Sequence, residues 1–264
     1  VADLQLWSVS DAQTAEPLGF FYLDLFPREG KYSHFAMFPL IDGKRFADGS
    51  YQRPVVALVC NFTPPSGDKP SLLDHDSVET LFHEFGHAMH AILTRANFAR
   101  FSGTSVPRDF VEAPSQMLEA WVWDKTVLDG FAADYRDPSR KIPPEILDQL
   151  KASKYAIYGC HYRRQLSFGL MDLKLHTEIT AANATETLPL ANQILSETFL
   201  PMPAGTAFLC YFGHFSGYDA GYYGYAWADA IAADMATVFE SAPDGYFDVK
   251  VGRRMREEIY AQGD

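Results

Sequence analysis

Residues 76–93 read DSVETLFHEFGHAMHAIL, and this stretch decides the fold. Apolar side chains at Val78, Leu81, Phe82, Phe85, Ala88, Met89, Ile92 and Leu93 recur at helical spacing and go nearly all the way round. That pattern predicts a helix buried in the protein rather than one lying on its surface. Asp76 followed by Glu79 reads as a capping box at its start. Inside this apolar helix sit His83, Glu84 and His87. Residues four apart share a helical face, so both imidazoles can reach a single ion. Glu84 projects about 100° round from His83, beside that point rather than at it, which is where a general base is needed. A histidine alone in a core is ordinary. Two that bracket a glutamate on a buried helix need polar partners, and a metal ion supplies them. Chance would produce HExxH only about 0.01 times in a chain of this composition.

Upstream of this helix the chain reads as β. Residues 19–26 are apolar and aromatic, Pro27-Arg28-Glu29-Gly30 is a turn signal, and residues 32–40 read as the return strand of a hairpin. Residues 54–62 are a β-branched run suited to a buried strand. Downstream, residues 101–106 read as a short extended piece. Residues 110–128 read as a second helix, with Pro114 near its start or kinking it. Pro143-Pro144 opens a helical stretch that runs, with breaks, to about residue 180. Residues 191–199 form another helix, the glycine-rich residues 213–224 interrupt the pattern, and 225–240 resume it. Strands first and helices after predict an α+β fold, predominantly helical, with a small N-terminal sheet over about residues 17–62. We read residues 1–264 as a single domain.

The bulk composition bounds the function. Of 264 residues, 47% are hydrophobic, enough for a sizeable core. A formal net charge of −12 repels phosphate backbones and argues against nucleic acid as a partner. No stretch approaches the ~18 apolar residues of a membrane span. Nothing at the N-terminus reads as a signal peptide. Cys60, Cys160 and Cys210 lie far apart and form no CxxC pair. A reducing, cytoplasmic setting is therefore expected.

Zinc suits two imidazoles, with nitrogen ligands at about 2.0–2.1 Å, and a catalytic zinc takes a third protein ligand and keeps an open position. Glu112 and Glu119 are both candidates for that ligand. They are seven residues apart, about two helical turns, and share a face. Either could ligate while the other holds a histidine from behind. Asp109 is a third option. Further on, Tyr218, Tyr222, Tyr223 and Tyr225 crowd beside Gly213, Gly217, Gly221 and Gly224. The bland reading is a tight aromatic packing segment. The functional one is that glycines let the backbone approach a site while protonated phenols donate to a developing oxyanion.

HEFGHAMH (residues 83–90), FSGTSV (101–106) and RDFVEAPSQMLEAWVW (108–123) together resemble the thimet oligopeptidase family of zinc metallopeptidases. GFFYLDLFPREGKY (19–32), NFTPP (61–65) and GYDAGYYGYAW (217–227) agree, so the resemblance covers most of the chain. It implies a zincin-like catalytic domain, mainly helical with a small sheet. It implies Glu112 rather than Glu119 as the third zinc ligand. Tyr218, Tyr222 and Tyr225 become the substrate-facing tyrosines, with His214 nearby, and Gly103–Thr104 a strand edge that pairs with the peptide backbone. It implies short peptides as substrates, admitted by a deep channel. The family's N-terminal helical channel wall is expected to lie outside this chain.

The expected chemistry is hydrolysis of internal peptide bonds: one zinc ion on His83, His87 and Glu112, Glu84 as general base, and Tyr222 or Tyr225 as oxyanion donor. A carboxydipeptidase and a zinc-stabilised, non-catalytic peptide-binding fragment are the alternatives. His90, one turn beyond His87, is expected to be structural.

Overall fold

The computed structural model describes residues 3–264. A four-stranded mixed sheet opens the chain: β1 (Gln5–Ser10), β2 (Pro17–Asp24), β3 (Ala36–Ile41) and β6 (Val55–Val59), in the order β1-β2-β6-β3. β4 (Lys44–Arg45) and β5 (Tyr51–Gln52) form a separate two-stranded ribbon. β2 pairs antiparallel with β1 and parallel with β6, and β3 pairs antiparallel with β6. The hairpin expected between residues 19–26 and 32–40 does not form. The run VVALV of β6 is the most apolar strand, and Val56 and Leu58 are fully buried. Each side chain of that size gains about 1.5–3 kcal/mol on burial, which favours β6 at the centre of the sheet, between the two expected partners. Lys31 ties that arrangement down by donating to the Asp24 and Phe26 carbonyls and, across the sheet, to the Cys60 carbonyl. β1 was not expected from the sequence. Its residues, QLWSVS, are mostly exposed, as befits an edge.

α1 (His75–Leu93) lies across the sheet, packing Ala88, Ala91 and Ile92 on Leu18, Val56 and Leu58. Its cap is Asp74, not the box starting at Asp76. Asp74 is extended and accepts from the Ser77 amide at 2.8 Å, while Asp76 sits inside the first turn. The segment after α1 also departs from expectation. Residues 101–106 form turns rather than a strand. Gly103, at φ +56°, closes a turn against α1, where an added Cβ would stand 2.7 Å from the Ala91 Cα.

The expected helix over 110–128 is broken into α2 (Arg108–Val111), α3 (Ala113–Glu119), a 3₁₀ turn (Ala120–Trp123) and α4 (Lys125–Asp129). Pro114 has no N–H to donate back to residue 110, so the helix breaks at Glu112. Asp124 leaves the helical region to cap α4, accepting from the Thr126 and Val127 amides. α5 (Pro144–Ala156), α6 (Tyr158–Glu178), α7 (Thr187–Thr198) and α8 (Gly224–Glu240) follow close to the segments read from sequence, and α9 (Val249–Met255) adds a helix that the sequence reading does not contain. α6 and α7 enclose a second core of Phe168, Met171, Leu175, Ile194 and Leu195, which also takes Tyr222. The result is an α+β fold, predominantly helical, with a small mixed sheet. Among the described residues, no helix is long and apolar enough to cross a membrane.

Candidate metal centre

The site forms where α1 and α3 cross. Gly86 permits the approach: a Cβ there would meet the Ser115 Cα at 2.6 Å. Because the helices come this close, the break at Glu112 brings its side chain under the α1 histidines. Nε2 of His83 lies 3.2 Å, and Nε2 of His87 3.1 Å, from the same oxygen, Glu112 Oε2. The three donor atoms lie within 4.8 Å of one another. Glu112 is buried, at 3% exposure, and Ser115 Oγ lies 2.9 Å from its carbonyl and 3.3 Å from Oε2.

Glu119 takes the other side of His83, with Oε1 2.7 Å from Nδ1. The two acids that spacing alone left level are thus separated: Glu112 joins both histidines and Glu119 orients one of them. Asp109 is outside the cluster and accepts from the Tyr223 hydroxyl at 3.0 Å.

Electrostatics follow the geometry. Burial works against charge on His83, but the Glu112 and Glu119 carboxylates outweigh it and push the imidazole up to about 10. Burial likewise opposes ionisation of Glu112, yet the two histidines hold its carboxyl well below the ordinary range. Two imidazoles and a carboxylate are a zinc donor set. Ligands at about 2.0–2.1 Å from a tetrahedral ion stand about 3.3–3.4 Å apart, close to the 3.1–3.2 Å found between the histidine nitrogens and Glu112 Oε2. The residues present therefore fit a zinc ion. Glu84, next to His83, is buried at 8% exposure.

The tyrosine segment closes the other side. The Tyr218 hydroxyl donates to Glu112 Oε1 at 2.7 Å. The Tyr225 ring stacks on Tyr218 at 5.2 Å, and His214 sits edge-on to Tyr222 and Tyr225 at 5.2 and 5.6 Å. The Tyr222 hydroxyl donates to Gln165 Oε1 at 2.8 Å. Burial pushes the Tyr222 phenol up to about 12 and, with Glu112 and Tyr218 adding to it, raises Tyr225 further. All these phenols hold their protons at neutral pH. A cleft of about 710 Å³ runs past the cluster, lined by His83, Glu119, His214, Tyr222 and Tyr225. Gly103 and Thr104 lie in the turn beside α1, not on a strand edge.

Three residues of the site escaped sequence reading. Gln116 Nε2 donates to the Tyr225 carbonyl at 3.3 Å, Gln165 holds Tyr222, and Asp172 on α6 accepts from the Ala220 and Tyr222 amides. Only Asp172 left a trace: a lone acid in the apolar run Leu170-Met171-Asp172-Leu173.

Fold and donor set together define a zincin-like domain with a candidate His-His-Glu metal centre. The family model for peptidase family M3 matches residues 1–264. The chain is 43% identical over 265 residues to a thimet-like oligopeptidase of Dictyostelium discoideum, covering 99% of this chain and 39% of that protein. It is 39% identical to saccharolysin of Saccharomyces cerevisiae, over 100% of this chain and 37% of the relative. It is 40% identical to oligopeptidase A of Escherichia coli, over 99% and 38%. The chain belongs to peptidase family M3, a family of metallopeptidases. It spans less than two fifths of the length of these relatives.

Proposed function

We propose that this chain carries the catalytic centre of a zinc-dependent peptidase that cuts internal bonds of short peptides. The observation behind this reading is the convergence of His83, His87 and Glu112 within 4.8 Å, with Glu84 beside them and a row of protonated tyrosines opposite. His83, His87 and Glu112 would hold the ion. When bound, zinc supplies Lewis acidity toward the scissile carbonyl and toward a water molecule. Glu84 takes a proton from the attacking water and returns it to the leaving nitrogen. Tyr222 or Tyr225 donates to the oxygen on which negative charge develops, such a donor being worth about 10²–10³ in turnover. Glu119 fixes the His83 ring through Nδ1. Tyr218, with His214, lines the substrate side, and the Gly103–Thr104 turn borders the α1 face.

A carboxydipeptidase needs a cation to hold the free C-terminal carboxylate. In the cleft, Lys154 pairs with Glu79 at 3.0 Å. The three cysteines are unpaired, in keeping with a reducing, cytoplasmic setting. Product analysis on one defined, quenched fluorogenic decapeptide, with and without chelator, tests the reading. Internal cuts that stop on chelation and return with zinc are expected. Stepwise loss of C-terminal dipeptides would make it a carboxydipeptidase, and zinc-dependent binding with no cleavage would make it a binding fragment.

A further inference from the structure

Asp172 is completely buried, at 0% exposure, in the middle of α6. Both carboxylate oxygens are occupied by the tyrosine segment. Oδ1 accepts from the Ala220 amide at 2.9 Å and Oδ2 from the Tyr222 amide at 2.9 Å. His176, one turn on, places Nδ1 3.0 Å from Oδ1. Between the two clamped amides, Ala220 is held at φ +54°, a left-handed conformation that a residue with a Cβ adopts only when its surroundings impose it. The same face of α6 makes the rest of the seat. Gln165 takes the Tyr222 hydroxyl at 2.8 Å, and Gly169 leaves room for the Tyr223 backbone, whose Cα would stand 3.4 Å from an added Cβ.

We propose that Asp172 is the positioning residue of the metal centre's tyrosine wall: by gripping the backbone at residues 220 and 222 it sets the Tyr218 hydroxyl on Glu112. A paired, fully buried carboxylate that accepts two amides is costly to bury without both partners, so it fixes one backbone path rather than several. Tyr218 leaves that path two residues earlier and reaches Glu112 Oε1 at 2.7 Å. The partner of a ligating carboxylate tunes the ligand's grip on the metal. Asp172 thus acts on the metal centre through Tyr218, without touching it. The inference rests on reading Glu112 as a metal ligand.

Asn at 172 keeps the shape but turns an NH₂ donor toward one of the two amide donors, so the grip opens. Two readouts on Asp172→Asn separate this proposal from the metal reading. By hydrogen exchange, amides of residues 218–225 should exchange about tenfold faster or more, with α1 and α3 unchanged. By chelator competition, the zinc dissociation constant should rise about tenfold, as it should in Tyr218→Phe. The double variant should bind no more than about twofold weaker than the worse single one, because both act along one path. Multiplying losses in the double variant, or unchanged exchange at 218–225, would overturn the proposal. If wild type takes up no zinc, the metal reading falls and the exchange arm alone decides whether Asp172 holds the segment. Asp172→Glu, which keeps the charge but shifts the oxygens by one methylene, serves if Asn does not fold. Unfolding of both variants would also overturn the proposal, by making Asp172 a residue of the fold rather than of the site.

Discussion

Tyr218 and Glu112, 106 residues apart in sequence, meet in a 2.7 Å hydrogen bond in which the phenol donates to Oε1. The other oxygen, Oε2, faces both histidine nitrogens. One carboxylate thus divides its two oxygens between the two histidines and the tyrosine wall. Removing the phenol leaves Oε1 without its donor and lets the carboxylate rotate. Tyr218→Phe is expected to weaken zinc binding about tenfold, measured by competition with a chelator of known affinity. An unchanged dissociation constant would mean that Tyr218 does not orient Glu112.

Glu84 stands one residue from His83 on α1 but outside the donor cluster. Glu84→Gln keeps size and polarity while removing the base. It is expected to retain one zinc per chain and to lose about 10²–10⁴ in turnover. Steady-state rates on the fluorogenic peptide, with zinc content measured on the same sample, check this. Retained turnover would exclude Glu84 as the base.

His83 is held between two carboxylates, which raise its imidazole from 6.5 to about 10 although burial opposes the charge. A metal binds only the deprotonated nitrogen. Zinc uptake by the metal-free protein at pH 7.5 should therefore release about one proton, and affinity should climb about tenfold per pH unit between pH 7 and 9. Calorimetry in buffers of different ionisation enthalpy counts the proton. A count near zero would contradict the charge state inferred for the pair.

His90 behaves oppositely. It is 1% exposed, packs against Tyr260 at 5.4 Å, and burial, with His87 adding to it, lowers it from 6.5 to about 4. As pH falls through 6.5 the unfolded chain takes up a proton that the folded chain refuses until about pH 4. Its contribution to stability is whole above pH 6.5 and is lost between 6.5 and 4, amounting to roughly 3 kcal/mol. In urea unfolding of the metal-free protein, wild type should lose roughly that much more than His90→Gln between pH 7 and pH 4. Equal losses would show that His90 titrates normally.

The legible parts of this protein are those written in local periodicity. The α1 helix, its buried character and the reach of His83 and His87 to one point follow from spacing within one segment. The helices between residues 143 and 240 are legible for the same reason, whereas α9 is not. The sheet was not, because whether β2 pairs with β3 or with β6 depends on which strand most needs to be inside, a non-local competition that β6 wins. Sequence does not select the α1 cap, because Asp74 and Asp76 each have a polar residue three positions on, Ser77 and Glu79, and only backbone geometry decides between them. Glu112 and Glu119 were indistinguishable by spacing. What separates them is the Pro114 break together with the close crossing at Gly86. Gly103–Thr104 reads as extended in sequence, yet the positive φ of Gly103 folds it onto Ala91. Gln116 and Gln165 act through tertiary contacts that no local pattern announces, and Asp172 leaves only the trace of a lone acid in an apolar run.

In the proposed centre His83, His87 and Glu112, and not Glu119, hold one ion. Elemental analysis after exhaustive dialysis, on wild type and on Glu112→Ala and Glu119→Ala, decides between the two acids. One zinc per chain is expected in wild type, close to one in Glu119→Ala, and close to none in Glu112→Ala. A wild-type chain without stoichiometric metal, or a Glu112→Ala chain that keeps a full equivalent, would contradict it.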